Sequence, residues 1–372
     1  MTKIYFDNAA TTPVSEGLIG ELSDLLRNQY VNADSLYEDA VTLKRQLEAA
    51  RAAIAGQLQV KDREIIFTSG ASEGNNLIIR GVVDFFAGKK RQLITSNIEH
   101  SSVKQVFDYY ESLGYPVVRI KVDKNGNFAM DQLKSVLDKD ALLVAVMGVN
   151  NETGTILPIK EISEYVKANS RAYVFSDLTQ ALGKVPFDLT GLDFASFSAH
   201  KFGGFKGSGF IYKKASANLH PLIMGGQQEF DLRAGTSNTP YQIILADTLN
   251  LALAHDNKDI AELNVYLRER LREIEGITIN SVNASPFIVN FSLPGLTSQV
   301  AINALSQKGI MVSGQSTCSS QKHEYSRVLA DMGFDLESAR NALRVSFWHQ
   351  NTKAEIDYFI VALKEIIHDY SL

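Results

Sequence analysis

Short apolar runs rich in β-branched and aromatic residues alternate with longer stretches of helical periodicity through the middle of the chain. The runs lie at 65–67, 92–95, 117–120, 142–146, 173–176, 194–198 and 209–212. Runs of this length, separated by helix-length segments, predict a mainly parallel sheet with crossover helices, an α/β fold. Ahead of them, Ile4-Tyr5-Phe6 reads as a strand and 7–13 as a loop of small side chains that can lie close to a ligand. Ser15 is placed to cap a helix with Leu18, Leu22, Leu25 and Leu26 on one face, and Leu36, Ala40, Leu43, Leu47, Ala50, Ile54 and Leu58 predict a longer second helix. Pro240 opens a helix through Ile244, Leu245 and Leu249, which breaks at Asp256-Asn257-Lys258-Asp259. Strands at 277–279, 287–291, 310–312 and 343–346, a helix at 298–308 and a last one from Thr352 predict a smaller α+β unit. The expected division is a large domain at 14–256, built on a seven-stranded sheet, and a smaller one from 1–13 and 257–372.

Composition narrows the class. A chain of 372 residues suits two domains, because single cores stop growing near ~250–300 residues. Hydrophobic residues at 45% and charged residues at 21% fit a globular protein, and a net charge of -5 with mixed signs offers no basic surface, so nucleic acid is not expected as a direct substrate. Neither a signal-peptide run nor an uninterrupted apolar segment of spanning length is present, so no membrane association and a cytoplasmic location are expected. Cys318 is the single cysteine, which excludes an internal disulfide and a multi-cysteine metal site made by this chain alone; no metal is expected.

Candidate chemistry gathers at predicted strand ends. Lys201 begins the connection between the run ending at Ser198 and the run starting at Gly209. Lysine is ordinarily a solvated surface charge, but an amine partly desolvated at a sheet edge is the setting in which lysine forms Schiff bases. Thr68-Ser69-Gly70-Ala71-Ser72-Glu73-Gly74 follows a strand and opens a helix, so it is either a phosphate cradle or a helix start capped by Ser69 or Ser72. It lacks Walker A spacing, and Gly207-Ser208-Gly209 lacks the third glycine of a dinucleotide fingerprint. Asp177 is a helix cap or, paired with a Schiff-base lysine, the partner of a pyridine nitrogen in pyridoxal phosphate. His100 heads a helix, Asn150-Asn151-Glu152-Thr153-Gly154 ends a strand as a turn, and Arg344 is either a paired core charge or a clamp for a carboxylate. Cys318 sits in a polar segment without apolar periodicity, which favours a working thiol over a packing residue.

Taken in order, several motifs carry a resemblance over nearly the whole chain. They are Tyr5-Phe6-Asp7-Asn8-Ala9-Ala10-Thr11-Thr12, residues 67–76, Glu99-His100, Asn150-Asn151-Glu152-Thr153-Gly154, Gln180-Ala181-Leu182-Gly183-Lys184, Ser196-Phe197-Ser198-Ala199-His200-Lys201, Gly225-Gly226-Gln227-Gln228-Glu229 and Arg233-Ala234-Gly235-Thr236. The chain resembles the NifS/IscS-like cysteine desulfurases, in the class V aminotransferase branch of the fold-type I pyridoxal 5'-phosphate enzymes. The resemblance implies a fold-type I transferase with pyridoxal 5'-phosphate as cofactor. It would act as a homodimer, take sulfur from L-cysteine to leave alanine, and pass a Cys318 persulfide to an acceptor protein such as an iron–sulfur scaffold or a tRNA-thiolating enzyme. Lys201 would hold the cofactor and remove the α-proton, Asp177 would pair with its ring nitrogen, and Gln180 and Asn151 would lie near its phenolic oxygen. Ala71, Ser72, Ser198 and His200 would bind its phosphate, with Thr236 reaching the phosphate of the neighbouring subunit. His100 would stack on the ring and move protons, and Arg344 and Asn151 would take the substrate carboxylate.

Departures from the family pattern are Asn32-Ala33-Asp34-Ser35-Leu36-Tyr37, Ser72, Phe205, Phe230-Asp231-Leu232 and Trp348. Trp348 is expected either to narrow the substrate entrance or to cover a partner surface. The alternatives are a selenocysteine or cysteine-sulfinate lyase, an aminotransferase on the same fold, and a non-catalytic sulfur-assembly partner.

Overall fold

A computed structural model describes residues 3–88, 91–314 and 325–370. β1 (Ile4–Tyr5) leads into α1 (Glu16–Asn28) and α2 (Glu38–Gln57). Ser15 caps α1 by accepting from the Leu18 amide, as its position predicts. The alternating middle runs β2 (Ile65–Thr68), α3 (Ala71–Phe85), β3 (Leu93–Ser96), α4 (Ser101–Ser112), β4 (Val117–Ile120), α5 (Met130–Val136), β5 (Leu143–Ala145), α6 (Ile159–Asn169), β6 (Tyr173–Asp177), β7 (Phe194–Ser198) and β8 (Gly209–Lys213). Among the described residues these strands form one seven-stranded sheet in the order β2-β8-β7-β6-β5-β3-β4. Only β8 runs against its neighbours, β2 and β7; the other pairings are parallel. Helices cover both faces, so β2, β3, β5 and β7 are buried along their whole length and read as continuous apolar runs rather than alternating ones.

The chain continues through the short turn α7 (Gln228–Asp231), α8 (Thr239–Ala254), α9 (Lys258–Arg272), β9 (Thr278–Ile279), β10 (Ile288–Ser292), α10 (Ser298–Gln307), β11 (Ile310–Met311), α11 (Arg327–Met332), α12 (Leu336–Arg340), β12 (Ala342–Ser346) and α13 (Lys353–Tyr370). β12, β10 and β9 make an antiparallel sheet, and β1 pairs in parallel with β11. The first strand of the chain therefore lies among its last elements. Its following loop, 7–12, is carried across to the C-terminal ends of the large sheet.

Two close approaches fix that sheet edge. A Cβ on Gly209 would stand 2.5 Å from the Phe197 carbonyl oxygen and 2.7 Å from the Gly70 Cα, so only glycine lets β8, β7 and the start of α3 meet. Trp348 is 6% exposed, packs against Phe287 at 6.0 Å between ring centroids, and reaches to 3.4 Å from a Cβ built on Gly203. It therefore supports the turn carrying Lys201 from behind, and neither narrows an entrance nor covers a surface. Leu36 also departs from expectation: α2 begins at Glu38, and Leu36 is 96% exposed outside it. Phe205 joins the Leu18, Leu22 and Ile244 cluster and sits edge-on to Tyr241 at 5.7 Å.

The α7 turn is locally unfavourable. Glu229, Phe230 and Asp231 have φ of 50°, 57° and 65°, and left-handed backbone costs an L-residue about 1–2 kcal/mol. The Arg51 guanidinium holds it with two bonds to the Glu229 carboxylate, at 2.8 and 2.9 Å, and donates also to the Ile65 carbonyl. The Phe67 amide donates to the same carboxylate at 2.7 Å. Arg51 stacks over Phe67 and Phe230, so the whole turn is pinned to α2 and β2.

Candidate active site

The C-terminal ends of β6 and β7, the starts of α3 and α4, the 7–12 loop and β12 surround a cavity of about 240 Å³. Lys201 lies one helical turn beyond β7, and its Nζ donates to the carbonyl oxygens of Ala9 at 2.9 Å and Ala10 at 2.6 Å. Asp177 closes β6; its Oδ1 accepts from the Thr179 amide and its Oδ2 from Asn75 Nδ2 at 2.9 Å. Gln180 reaches the same loop by donating to Ala9 O, and its amide oxygen accepts from Lys184 Nζ at 2.7 Å. Burial, reinforced by Lys201 and Arg344, holds the Lys184 ammonium well below the usual lysine range.

His100 caps α4, as its place in the sequence predicts, with Nδ1 accepting from the Ser102 amide. Burial lowers its pKa, with Asp177 pulling the other way and Lys201 adding to the fall. Glu99 beside it is fully buried, which pushes its carboxyl up to about 8 despite hydrogen bonds from Ser96 Oγ and the Met147 amide. Arg327 donates to the backbone carbonyls of Asn97 and Glu99, at 2.9 and 2.7 Å, and so grips the segment just ahead of His100.

At one end of the cavity α3 begins at Ala71 and Ser72, after Gly70, which offers no side-chain cap. The backbone N–H groups of a helix start attract anions. Ser198 Oγ stands 3.1 Å from a Cβ built on Gly70, and His200 Nδ1 is buried without a hydrogen-bond partner. Burial, then Lys201, Lys206 and Lys184, bring His200 down to about 4, so its ring is neutral. At another wall Arg344 is 1% exposed; it donates to Asp7 Oδ1 and to the Asn151 carbonyl, both at 2.6 Å. Its Nε is buried and unpartnered. The donor set therefore fits pyridoxal phosphate: helix N–H groups, hydroxyls and a lone imidazole nitrogen for the phosphate, a carboxylate for the ring nitrogen, and an amine for the aldehyde.

Of the residues singled out in the sequence, Ala71, Ser72, His100, Asn151, Asp177, Gln180, Ser198, His200, Lys201 and Arg344 all line this one cavity. A larger open groove of about 760 Å³ past Gln57, Asp188 and Asn257 contains none of them. Thr236 is exposed and outside the cavity, and Cys318 lies outside the described residues. Reading the sequence missed Asn75, Ser102, Lys184, Glu99 and the carbonyls of Ala9 and Ala10. Asn75, Glu99 and Lys184 stand inside the family motifs, but no spacing marked them as buried partners.

Residues 4–359 match the aminotransferase class-V family model. The chain belongs to that family, among its NifS/IscS-like cysteine desulfurases. It is 38% identical to a NifS/IcsS protein homolog of Lactobacillus delbrueckii subsp. bulgaricus, over 99% of this chain and 98% of the relative. Cysteine desulfurase IscS of Dictyoglomus turgidum is 35% identical over 98% of this chain and 94% of its own. Among solved structures, a NifS-like protein superposes with a TM-score of 0.93 at 34% identity, covering 99% of this chain and 100% of that one. SspA in complex with cysteine gives a TM-score of 0.83 at 30% identity, covering 93% and 99%. Membership of this family makes pyridoxal phosphate the cofactor of the chain.

Proposed function

We infer that the protein is a pyridoxal phosphate-dependent cysteine desulfurase, converting L-cysteine to L-alanine and a Cys318 persulfide. The observation that carries this is the convergence of Lys201, Asp177, His100 and Arg344 on one cavity, in a chain similar over its length to cysteine desulfurases. When bound, the cofactor supplies an aldehyde for Schiff-base exchange and a protonated ring that takes up the electrons of the substrate α-carbon.

The chain's own groups do the rest. Asp177, fixed by the Thr179 amide and Asn75, keeps the ring nitrogen protonated. Lys201 Nζ, held at the Ala9 and Ala10 carbonyls, is the base for the α-proton once the substrate amine has replaced it. The free edge of Arg344 takes the substrate carboxylate, oriented by Asp7 and the Asn151 carbonyl. Cys318 as thiolate attacks the substrate sulfur: an S–S bond forms, the C–S bond breaks, its electron pair stays with the carbon fragment, and protonation of that carbon gives alanine.

We propose further that the enzyme works in the cytoplasm as a homodimer and hands its sulfur to an acceptor protein for iron–sulfur cluster assembly or tRNA thiolation. Thr236, exposed and outside its own cavity, supports a second subunit. So do the exposed Leu36, Met224 and Phe230 on loops joined by the Gln228–Asp34 hydrogen bond. The test is visible absorbance of the bound cofactor, with alanine and sulfide formed from cysteine, in the wild type and in Lys201→Ala and Cys318→Ala. Absorbance unchanged in Lys201→Ala sinks the cofactor assignment, and full desulfurase turnover in Cys318→Ala sinks the persulfide route.

A further inference from the structure

Five side chains, three of them lining the cavity and two behind its wall, form a continuous hydrogen-bonded chain. Asn75 is 0% exposed. Its Nδ2 donates to Asp177 Oδ2 at 2.9 Å and to Ser102 Oγ at 2.8 Å, and its Oδ1 accepts from Ser196 Oγ at 2.5 Å. Ser102 Oγ lies 2.8 Å from His100 Nδ1. The residues come from α3, α4, β6 and β7, so the arrangement is built by tertiary packing and not by one local turn.

The direction of every proton in the chain follows from its ends. The Asp177 carboxylate only accepts, so the Asn75 amide group, assigned from this network, turns its NH₂ toward it. The second Asn75 N–H then occupies the Ser102 oxygen as a donor, leaving the single Ser102 O–H to point onward. At the far end His100 Nδ1 already accepts from the Ser102 backbone amide at 3.2 Å, a group that only donates. Nδ1 is therefore an acceptor, and it takes the Ser102 O–H as well.

We propose that Asn75 and Ser102 are positioning residues that fix His100 in the tautomer with its proton on Nε2, so that the catalytic histidine meets the bound substrate as a hydrogen-bond donor. The relay ties this state to the Asp177 carboxylate that pairs with the cofactor ring: one buried amide orients both. Charge around the ring comes from Asp177 on β6, Lys201 beyond β7, Glu152 in the 150–154 turn and Arg327 on α11, with Glu99 next in sequence. A neutral imidazole with two donors on Nδ1 leaves Lys201 as the base and gives His100 the part of a neutral hydrogen-bond donor through Nε2–H.

The inference deepens the desulfurase reading and rests on it for the substrate that receives this hydrogen bond. Nitrogen-15 spectra of the histidine-labelled holoenzyme, with His100 assigned by its loss in His100→Gln, report the tautomer directly. The expected result is an unprotonated Nδ1 and a protonated Nε2. In Ser102→Ala the ring becomes a mixture of tautomers, kcat falls about tenfold, as for loss of one buried hydrogen bond, and the acid limb of the kcat–pH profile moves; Ser102→Thr restores all three. Asn75→Asp, which replaces the amide donors by a second carboxylate, shifts the pH dependence of the cofactor absorbance. A protonated Nδ1 in the wild type overturns the proposal, and so does a Ser102→Ala enzyme with wild-type tautomer and pH profile. Failure to form alanine in a protein with the expected tautomer instead counts against the desulfurase reading, which keeps the two separable.

Discussion

Two buried arginines in this chain have opposite relations to their surroundings. Arg51 on α2 is saturated: Glu229, Glu48 and the Ile65 carbonyl accept from it, and aromatic rings lie over it. Arg344 on β12 is just as buried but is satisfied at its two terminal nitrogens only, and its unpartnered Nε belongs to a residue lining the cavity. Burial alone does not separate a structural charge from a binding one. What separates them is the donor left over after the protein has taken its share, because an unmet buried donor costs free energy that a ligand recovers.

Substitution at the two positions is expected to split stability from catalysis. Arg51→Met strands the Glu229 carboxylate in the interior and is expected to cost about 3–5 kcal/mol in denaturant unfolding, with turnover per folded molecule little changed. Arg344→Lys keeps a charge but loses the planar fork. The kcat/KM for cysteine is expected to fall roughly a hundredfold, with a much smaller change in unfolding free energy. Equal stability losses at both sites would dissolve the comparison.

A third test concerns a buried acid instead of a buried base. Glu99 has its folded pKa raised to about 8 from an ordinary 4.5. A raised folded pKa means the folded state holds a proton that the unfolded state has released. Its contribution to stability is therefore complete below about 4.5 and is lost as pH rises through about 8. The melting temperature of the wild type is expected to decline across this window more steeply than that of Glu99→Gln. Parallel profiles would show that Glu99 is not held protonated. The smallest effect is expected at α7, where Asp231→Gly removes the left-handed penalty at φ 65° and stabilises by about 0.5–1 kcal/mol in the same unfolding assay.

What the sequence showed and hid follows from the range of the interactions. The large sheet was legible because strands covered on both faces leave short apolar runs, and Lys201, Asp177 and His100 stood out because they end such runs or open helices. Arg344 could be read as a carboxylate clamp or a core pair; the pair is there, with Asp7, and the buried Nε is left without a partner. The relay from Asp177 to His100 left no trace, since its bonds join positions 102 and 27 residues apart with no periodicity. Trp348 misled for the same reason: nothing local to it says that Gly203 is its neighbour. Leu36 was read as helical from its spacing alone, though α2 starts two residues later, with acidic residues in its first turn.

The 7–12 loop imposes an order on folding. Asp7 meets Arg344 at a sequence separation of 337, Ala9 meets Ser346 at the same separation, and Lys201 and Thr12 bridge to each other's neighbourhoods across nearly 190 residues. The 7–12 segment is thus made long before β12, the strand that carries its partners, and waits for it unpaired. A nascent chain holds Asp177 and Lys201 well before it holds Arg344. The cavity that all three line is therefore closed only after β12 has been made.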